Sequence, residues 1–350
     1  MASVVLIAGV SRRLGGQLAG QLAADPTIER VIGVDTVPPR ASQLPMLGRT
    51  EFVRADIRNP LIAKVISQAQ VSTVVHAALV GSPRRAGGRV LMQEVNVIGT
   101  MQLLAACQRS EHIQRIVLRS TTAVYGCGPA DPAVFTEDIQ PSEGPRTGYA
   151  KDAIEVEANV RAFARRRPDV DTTVLRLAGV LGAHSDSALS RYLAAPVVPT
   201  ELGFDPRVQV LHELDAVETL RLATVGSRPG TFNVAGAGAM PLSQVLRRTG
   251  RTGVPVPRPL IAVAGSATGN SGVLDFTAEE ACYLAYGRVV DTERLRTQFG
   301  YTPRFTTAET VQSVLGGPQR LPRLAPLALG VASQLVQAWP VGRPAVPATS

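Results

Sequence analysis

The stretch SVVLIAGVSRRLGG, residues 3–16, decides the fold. Its first six residues form a nearly continuous apolar run, which predicts a β-strand buried on both faces. The run ends at Gly9, and LGGQLAGQLAADP (14–26) then has the apolar spacing of a helix that stops at Pro26. A strand that turns through glycine into a helix presents the free N–H groups of the helix N-terminus to a phosphate. The stretch therefore predicts the first βα unit of a Rossmann-type domain that binds a dinucleotide.

Strand and helix patterns alternate through the first half of the chain. Further strands are predicted at 30–35, 51–57, 72–78, 115–121 and 172–179, and helices at 62–68, 90–108 and 150–167. This alternation predicts an α/β fold with a doubly wound parallel sheet, covered by helices on both faces.

The pattern becomes irregular after about residue 180, where proline and glycine are frequent. Short strands are indicated at 208–211 and 230–234. We expect three parts: a dinucleotide-binding domain (1–180), a smaller substrate-binding region that partly returns to the sheet (181–320), and a C-terminal helix with a loose tail (321–350).

Composition excludes several classes of function. The net charge is +8, but the basic residues are spread along the chain and aromatic residues make up only 4%, which argues against a nucleic-acid partner. Cys107, Cys127 and Cys282 are few and far apart, which favours a reducing, cytoplasmic environment. We expect no transmembrane segment, because the apolar stretch 324–339 is too short to span a bilayer. The histidines have no metal-ligand spacing, so we expect no metal.

Two glycines and one aspartate define the expected cofactor site. Gly9 and Gly15 fit the first and third positions of the dinucleotide fingerprint, whereas Arg12 stands at the middle position. Asp35 lies 20 residues after Gly15, where a carboxylate accepts hydrogen bonds from the adenosine ribose and repels a 2′-phosphate. Arg12 and Arg13 would favour that phosphate. Because the position of Asp35 is the more specific signal, we predict NAD rather than NADP.

Eight stretches further along the chain share the pattern of a known family. They are ADI (55–57), VVHAA (74–78), NVIGT (96–100), STTAVYG (120–126), LRLAGVLG (175–182), LHELDA (211–216), FNVAG (232–236) and VVDTERLRTQFGYTP (289–303). Over residues 3–310 the chain resembles extended short-chain dehydrogenases/reductases of the NAD-dependent epimerase/dehydratase family, in particular the UDP-glucose 4-epimerase-like proteins of actinobacteria.

The resemblance extends the expected cofactor site beyond the N-terminal turn. It implies that Asp56 and Ile57 contact the adenine and that Ala77 and Ala78 line the cofactor after the fourth strand. It also implies that Asn96 braces the active-site wall and that Ala178 lies near the nicotinamide. The complete expected set is Gly9, Arg12, Arg13, Leu14, Gly15, Asp35, Asp56, Ile57, Ala77, Ala78, Asn96, Lys151 and Ala178.

The resemblance also implies a catalytic Ser or Thr, a Tyr and a Lys, the last two spaced Y-x-x-x-K. Residues four apart share a helix face, so the ammonium can lower the pKa of the phenol, and the phenolate can take a substrate proton. Thr121 matches the Ser/Thr position and Lys151, one of only two lysines, matches the lysine.

The tyrosine position itself holds Thr147, and no Y-x-x-x-K occurs in the chain. Tyr149 lies two residues before Lys151, which on a regular helix places it roughly 200° away. We therefore assign Tyr149 as a displaced proton carrier, which requires that the helix begins late. Gly148 permits such a start.

The substrate side departs from the family as well. Gly179 stands where the sugar-nucleotide enzymes often have asparagine, and Arg207 is one residue away from the position of the arginine that meets the substrate diphosphate. Arg84, Arg85 and Arg89 follow the fourth strand, where they either meet a phosphorylated or carboxylated substrate or form a solvated loop.

Three interpretations therefore remain. The favoured one is an NAD-dependent epimerase/dehydratase-type oxidoreductase that acts on a nucleotide sugar. The second is a dehydrogenase of a steroid- or lipid-like hydroxyl or ketone, and the third is a non-catalytic dinucleotide-binding protein. The resemblance also implies a homodimer that assembles through the helices near 90–108 and 150–167.

Overall fold

The computed structural model of the chain describes residues 3–139, 148–183, 187–195, 197–257 and 278–316. Their strands are β1 (Ser3–Ala8), β2 (Ile28–Asp35), β3 (Glu51–Arg54), β4 (Thr73–His76), β5 (Arg115–Thr121), β6 (Asp171–Leu177), β7 (Gly179–Leu181), β8 (Val197–Glu201), β9 (Arg207–Val208), β10 (Val210–His212), β11 (Gly230–Val234), β12 (Met240–Pro241) and β13 (Thr252–Val256).

Seven of these strands form the central sheet, in the order β11-β6-β5-β4-β1-β2-β3. Every neighbouring pair in this sheet is parallel. The chain winds outward from β1 through β2 and β3, then crosses back to β4 on the other side of β1. In such a sheet, ligands bind at the carboxyl ends of the strands, where the winding direction reverses. This switch point lies between β1 and β4.

Helices cover both faces of the sheet. The α-helices of the described ranges are α1 (Arg13–Ala24), α2 (Leu44–Leu47), α3 (Leu61–Gln68), α4 (Pro83–Ala86), α5 (Arg89–Gln93), α6 (Gly99–Gln108), α7 (Gly148–Arg166), α8 (Ala188–Ala194), α9 (Glu213–Val225), α10 (Leu242–Arg248), α11 (Ala278–Tyr286) and α12 (Thr307–Leu315). One core cluster joins α1 and α9 to the sheet, and a second joins α3, α6 and α7 to the opposite face. The predicted doubly wound α/β fold is therefore confirmed.

Element boundaries differ from the predicted ones by a few residues. The third strand ends at Arg54 rather than at residue 57, because residues 55–57 already turn away from the sheet. The predicted helix 90–108 begins at Arg89 and contains π-type turns over Glu94–Ile98. The helix predicted at 150–167 begins at Gly148, which has a φ of +74°.

The region after residue 180 has its own core and also returns to the sheet. A third cluster of buried apolar residues joins α10 and α12 to β8 and β10. The strand Gly230–Val234 has the predicted bounds and pairs with β6 as the edge of the central sheet. The C-terminal segment predicted at 321–350 lies outside the described residues.

One helical stretch within the described ranges, Arg89–Gln108, is long and apolar enough to cross a membrane. Half of its most apolar window is buried inside the protein, as in the core helix of a globular domain. The remainder exposes apolar side chains, among them Ile98 and Met101, which are 45% and 48% exposed.

Candidate active site

Backbone packing accounts for both fingerprint glycines. Gly9 has a φ of +92°, and a Cβ there would lie 2.8 Å from the Cα of Ala78. A Cβ on Gly15 would lie 2.2 Å from the carbonyl oxygen of Gly9. The turn therefore closes against the loop after β4 only with glycine at both positions, and α1 begins directly above it.

Asp35 ends β2 and organises the loop backbone next to this turn. Its Oδ2 accepts a hydrogen bond from the Ser11 N–H at 3.2 Å, and its Oδ1 accepts one from the Thr36 N–H at 2.8 Å. A carboxylate offers about four acceptor positions, so two remain for the hydroxyls of a ribose.

The two arginines of the turn have different environments. The guanidinium of Arg13 donates to both carboxylate oxygens of Glu213, at 2.9 and 3.3 Å, and so is held on the first turn of α9. The side chain of Arg12, which replaces the middle glycine, lines the cleft above the switch point.

The cleft itself has a volume of about 980 Å³. It extends from the N-terminal turn, including Leu14, past the loop Leu79–Ser82 to the ends of β5 and β6. Asp35 does not itself line the cleft but binds the N–H of Ser11, which does. The size of the cleft, the glycine turn, the start of α1 and the spare acceptors of Asp35 beside it together fit a dinucleotide.

The two residues expected near the adenine lie outside this cleft. The carboxylate of Asp56 is bound by Arg58, with Nη2 at 2.7 Å, and this hydrogen bond lowers the pKa of Asp56. The side chain of Ile57 is buried and packs against Gly99. Their assignment as cofactor contacts remains a prediction.

The other expected cofactor residues form the wall beyond β4. The Ala77 N–H donates to the Ala8 carbonyl at 3.0 Å, which places the backbone of Ala78 against the glycine turn. Asn96 is fully buried and pairs with both the N–H and the carbonyl of Val80, at 2.8 and 3.0 Å, so it fixes the loop that lines the cleft. Ala178 lines the cleft directly after β6.

Thr121 and Tyr149 line the same cleft, on β5 and on the first turn of α7. Thr121 Oγ1 accepts a hydrogen bond from the Ala123 N–H at 3.2 Å, which leaves its hydroxyl proton available for a ligand. The Tyr149 ring lies about 3.8 Å from the position that a Cβ on Gly81 would occupy.

The side chain of Lys151 does not reach the cleft that Thr121 and Tyr149 line. Its side chain is 44% exposed, and its Nζ lies 3.7 Å from Glu155 Oε1, one helical turn further along α7. Lys151 is absent from the cleft lining, as the rotation of two residues on a helix requires. Thr147, at the family's tyrosine position, lies outside the described residues.

A buried polar network supports the strand that carries Thr121. Arg176 donates to Glu157 Oε2 at 2.7 Å and to the Tyr125 hydroxyl at 2.8 Å, and Ser120 donates to Glu157 Oε1 at 2.6 Å. The Tyr125 hydroxyl in turn donates to Asn233 Oδ1 at 2.8 Å. The network joins β5, β6, β11 and α7 directly beneath the cleft.

The expected substrate residues are dispersed. Gly179 lines the cleft, where a Cβ would lie 2.4 Å from Leu189 Cδ2. Arg207 borders a smaller adjoining pocket of about 200 Å³ and donates to the Ala133 carbonyl at 2.7 Å. Arg89 binds Asp152 with two hydrogen bonds, at 2.6 and 2.7 Å, and does not line the cleft. Arg84 and Arg85 belong to α4, and their side chains lie outside the described part of the structure.

Sequence reasoning missed several cleft residues, namely Arg40, Arg119, Arg191, Glu213 and Arg288. Arg119 has a local signal, because it precedes Thr121 by two residues and so shares its face of β5. The pairing of Arg13 with Glu213 spans 200 residues and has no such signal.

Comparisons with known proteins agree with this architecture. Residues 5–234 match the model of the NAD dependent epimerase/dehydratase family. An uncharacterized protein of Mycobacterium tuberculosis is 46% identical over 96% of this chain and 90% of its own length. A UDP-glucose 4-epimerase of Mycolicibacterium smegmatis is 28% identical over 52% of this chain and 57% of its own length.

A UDP-glucose-4-epimerase structure from Stenotrophomonas maltophila, with bound NAD and formylated UDP-arabinopyranose, superposes with a TM-score of 0.71 at 18% identity. The match covers 89% of this chain and 97% of that structure. At this identity the superposition establishes the fold, whereas the family match establishes the kind of protein and supports NAD as its cofactor. The chain therefore belongs to the NAD dependent epimerase/dehydratase family.

Proposed function

We propose that the chain is an NAD-dependent oxidoreductase that acts on a nucleotide sugar as an epimerase or a related dehydratase. The observation that carries the proposal is that Thr121 and Tyr149 line the same cleft as the N-terminal turn. This shared lining supports the assignment of Thr121 and Tyr149 as a proton-transferring pair beside the dinucleotide.

The proposed chemistry assigns one task to each hydroxyl. NAD, when bound, supplies a hydride acceptor. Tyr149, as the phenolate, takes the proton of a substrate hydroxyl at its Oη. Thr121 donates a hydrogen bond to the same substrate oxygen, since its hydroxyl proton stays available while its Oγ1 accepts from the Ala123 N–H. Return of the hydride to the other face of the oxidised carbon, and of the proton to its oxygen, inverts the configuration at that carbon.

The charge of the cleft favours a nucleotide sugar over a steroid- or lipid-like substrate. Among the described residues, six arginines line it together with one acidic residue, Glu213, which is already paired with Arg13. Such an excess of guanidinium groups suits diphosphates, both of a cofactor and of a substrate.

The test combines a substrate panel with matched hydroxyl variants. Purified protein is incubated with NAD and UDP-glucose, UDP-galactose, UDP-glucuronic acid or dTDP-glucose, and the products are separated by chromatography. We expect Tyr149→Phe to lower turnover by at least about 100-fold, as loss of a proton carrier does. Tyr286→Phe, a tyrosine of the smaller pocket, is the matched control and should retain wild-type turnover.

The position of Lys151 favours one alternative, a non-catalytic dinucleotide-binding protein. Tight NAD binding without turnover of any sugar would establish that alternative. Lys151→Ala sharpens the distinction. Our proposal expects little change in turnover, whereas a loss as large as that of Tyr149→Phe would mean that α7 rearranges when ligands bind.

We further propose that the chain forms a homodimer through the helical stretch Arg89–Gln108. Ile98 and Met101 lie three residues apart, on one helix face, and nearly half of each side chain is exposed. A second copy of the same stretch would cover this apolar face. We expect Met101→Glu to convert a dimer into a monomer in light scattering, whereas Leu214→Glu, at an exposed leucine on α9, should not.

Two further expectations rest on the described residues. Cys107, Cys127 and Cys282 form no disulfide, which supports a reducing, cytoplasmic environment. The third core cluster supports a substrate-binding region over residues 181–320, next to a dinucleotide-binding domain over 1–180.

A further inference from the structure

Two guanidinium groups reach the switch point of the sheet from different elements. Arg12 follows β1 as the residue before α1, and Arg119 lies near the end of β5. Both side chains line the large cleft. Between them ends β4, whose last residue, His76, has both arginines as neighbouring charges.

Arg119 has little to hold its charge within the protein. It is half-buried, and the one hydrogen bond it makes in the described part of the chain runs from Nη1 to the Ala77 carbonyl at 3.3 Å. Its Nε is buried without a partner there, and no described carboxylate lies within ion-pair distance. A partly buried cation that faces a cleft without a counter-ion is costly unless a ligand supplies the negative charge.

His76 adds no negative charge beside Arg119. Its ring is buried and its Nε2 lies 2.7 Å from Thr100 Oγ1. Burial first, and the two arginines second, lower the pKa of His76 to about 4, so the imidazole is neutral near pH 7. The surroundings of Arg119 therefore contribute no negative charge from this side.

The substitution at the middle fingerprint position fits the same arrangement. Glycine at that position lets the backbone approach the pyrophosphate closely. Arg12 gives up that approach but brings a guanidinium, which binds phosphate oxygens with two parallel hydrogen bonds. A second guanidinium, that of Arg119 on β5, lines the same cleft.

We propose that Arg12 and Arg119 form a two-arginine site for a diphosphate at the switch point, which replaces part of the backbone phosphate cradle. The inference rests on the proposed binding of a dinucleotide. The diphosphate of the cofactor and that of a nucleotide-sugar substrate share this chemistry, and the experiment separates them.

The test measures ligand affinity, without turnover. NADH and ADP-ribose are titrated into the wild-type protein and into Arg119→Ala, Arg119→Lys and Arg12→Gly, and UDP-glucose is titrated into the NADH-saturated proteins. Arg109→Ala removes an exposed arginine at the end of α6 and is the matched control. Adenosine, which has no phosphate, is the control ligand.

We expect Arg119→Ala to weaken NADH and ADP-ribose about 10- to 100-fold, the effect of losing one charged hydrogen-bond donor. Arg119→Lys should recover part of the loss, and adenosine should bind all variants alike. A loss confined to UDP-glucose would assign the site to the substrate diphosphate and would still support it. NADH, ADP-ribose and UDP-glucose affinities that match those of Arg109→Ala would overturn the inference.

A thermal-shift arm separates this inference from the proposed function. If the wild type binds no NADH, the proposed function fails, but the diphosphate site is still tested with inorganic pyrophosphate. Pyrophosphate should then raise the melting temperature of the wild type and of Arg109→Ala, but not that of Arg119→Ala. An equal rise in all three proteins would contradict the two-arginine site.

Discussion

The two walls of the cleft are built in different ways. The N-terminal wall, from β1 to β2, depends on the absence of side chains, because a Cβ on Gly9 or Gly15 would collide with backbone atoms. The wall on β5 and α7, called the catalytic wall here because it carries the proposed pair Thr121 and Tyr149, depends on side chains that meet beneath it. There Arg176 joins Glu157 to Tyr125. The first wall is local in sequence, whereas the second brings together segments far apart.

This difference shows where function can diverge within one fold. A backbone turn tolerates few changes where a Cβ would collide, so glycine stands at positions 9 and 15, whereas Arg12 replaces the middle glycine. Above a supported wall, the identity of a lining side chain such as Thr121 or Tyr149 is less constrained by backbone packing. We therefore expect the walls to respond differently to substitution.

The largest effect should come from the network beneath the catalytic wall. Arg176→Met leaves the carboxylate of Glu157, which is 2% exposed, without its main partner. We expect the free energy of unfolding to fall by about 3–5 kcal/mol in urea denaturation. Adding Glu157→Leu should restore part of this loss, because the buried charge is then removed. A fall below about 1 kcal/mol would mean that the network does not hold the wall.

A smaller, pH-dependent effect is expected where the walls meet, at His76. Its pKa is lowered from 6.5 to about 4. Between these two pH values the imidazole is therefore protonated in the unfolded chain but neutral in the native protein. Stability from the neutral ring is therefore complete above pH 6.5 and is lost as the pH falls towards 4.

Denaturation at two pH values measures this contribution of His76 to the free energy of unfolding. The stability difference between wild type and His76→Gln should be about 2–3 kcal/mol smaller at pH 4.5 than at pH 7.5. His112→Gln, at an exposed histidine, should show no such change. An unchanged difference for His76→Gln would contradict burial of a neutral imidazole.

The N-terminal wall is tested by two neighbouring glycines of α1. A Cβ on Gly15 meets the Gly9 carbonyl oxygen at 2.2 Å, whereas on Gly16 it meets the Val10 carbonyl oxygen at 3.1 Å. We expect Gly15→Ala to cost about 1–3 kcal/mol and to weaken NADH binding. Gly16→Ala should change stability by less than about 1 kcal/mol, because helix propensity offsets the tighter contact. Equal effects of the two variants would show that the close approach is not the constraint.

The smallest effect is expected away from both walls. Arg30 Nη2 lies 2.7 Å from Glu51 Oε2, and both side chains are solvent-accessible, at 41% and 51%. Arg30→Ala should cost less than about 1 kcal/mol, an effect that declines further at high salt. A cost comparable to that of Arg176→Met would remove the contrast between buried and surface pairs.

The sequence sufficed for the fold and for the glycine turn, because both depend on periodicity and on the backbone freedom of single residues. The bounds of β5 and β11 were predicted to the residue, and those of other elements within a few residues. The cation of the catalytic wall was predictable only in part. The alternation of β5 places Arg119 on the face of Thr121, whereas the exclusion of Lys151 from the cleft depends on where α7 begins.

The central claim is that the cleft binds NAD through the N-terminal turn and Asp35, and calorimetric titration of NADH and NADPH into the purified protein tests it most directly. We predict that NADH binds at least about 10-fold more tightly, because the Asp35 carboxylate accepts hydrogen bonds from a ribose and repels a 2′-phosphate. Asp35→Asn should reduce this preference. No binding of either nucleotide, or tighter binding of NADPH, would contradict the account.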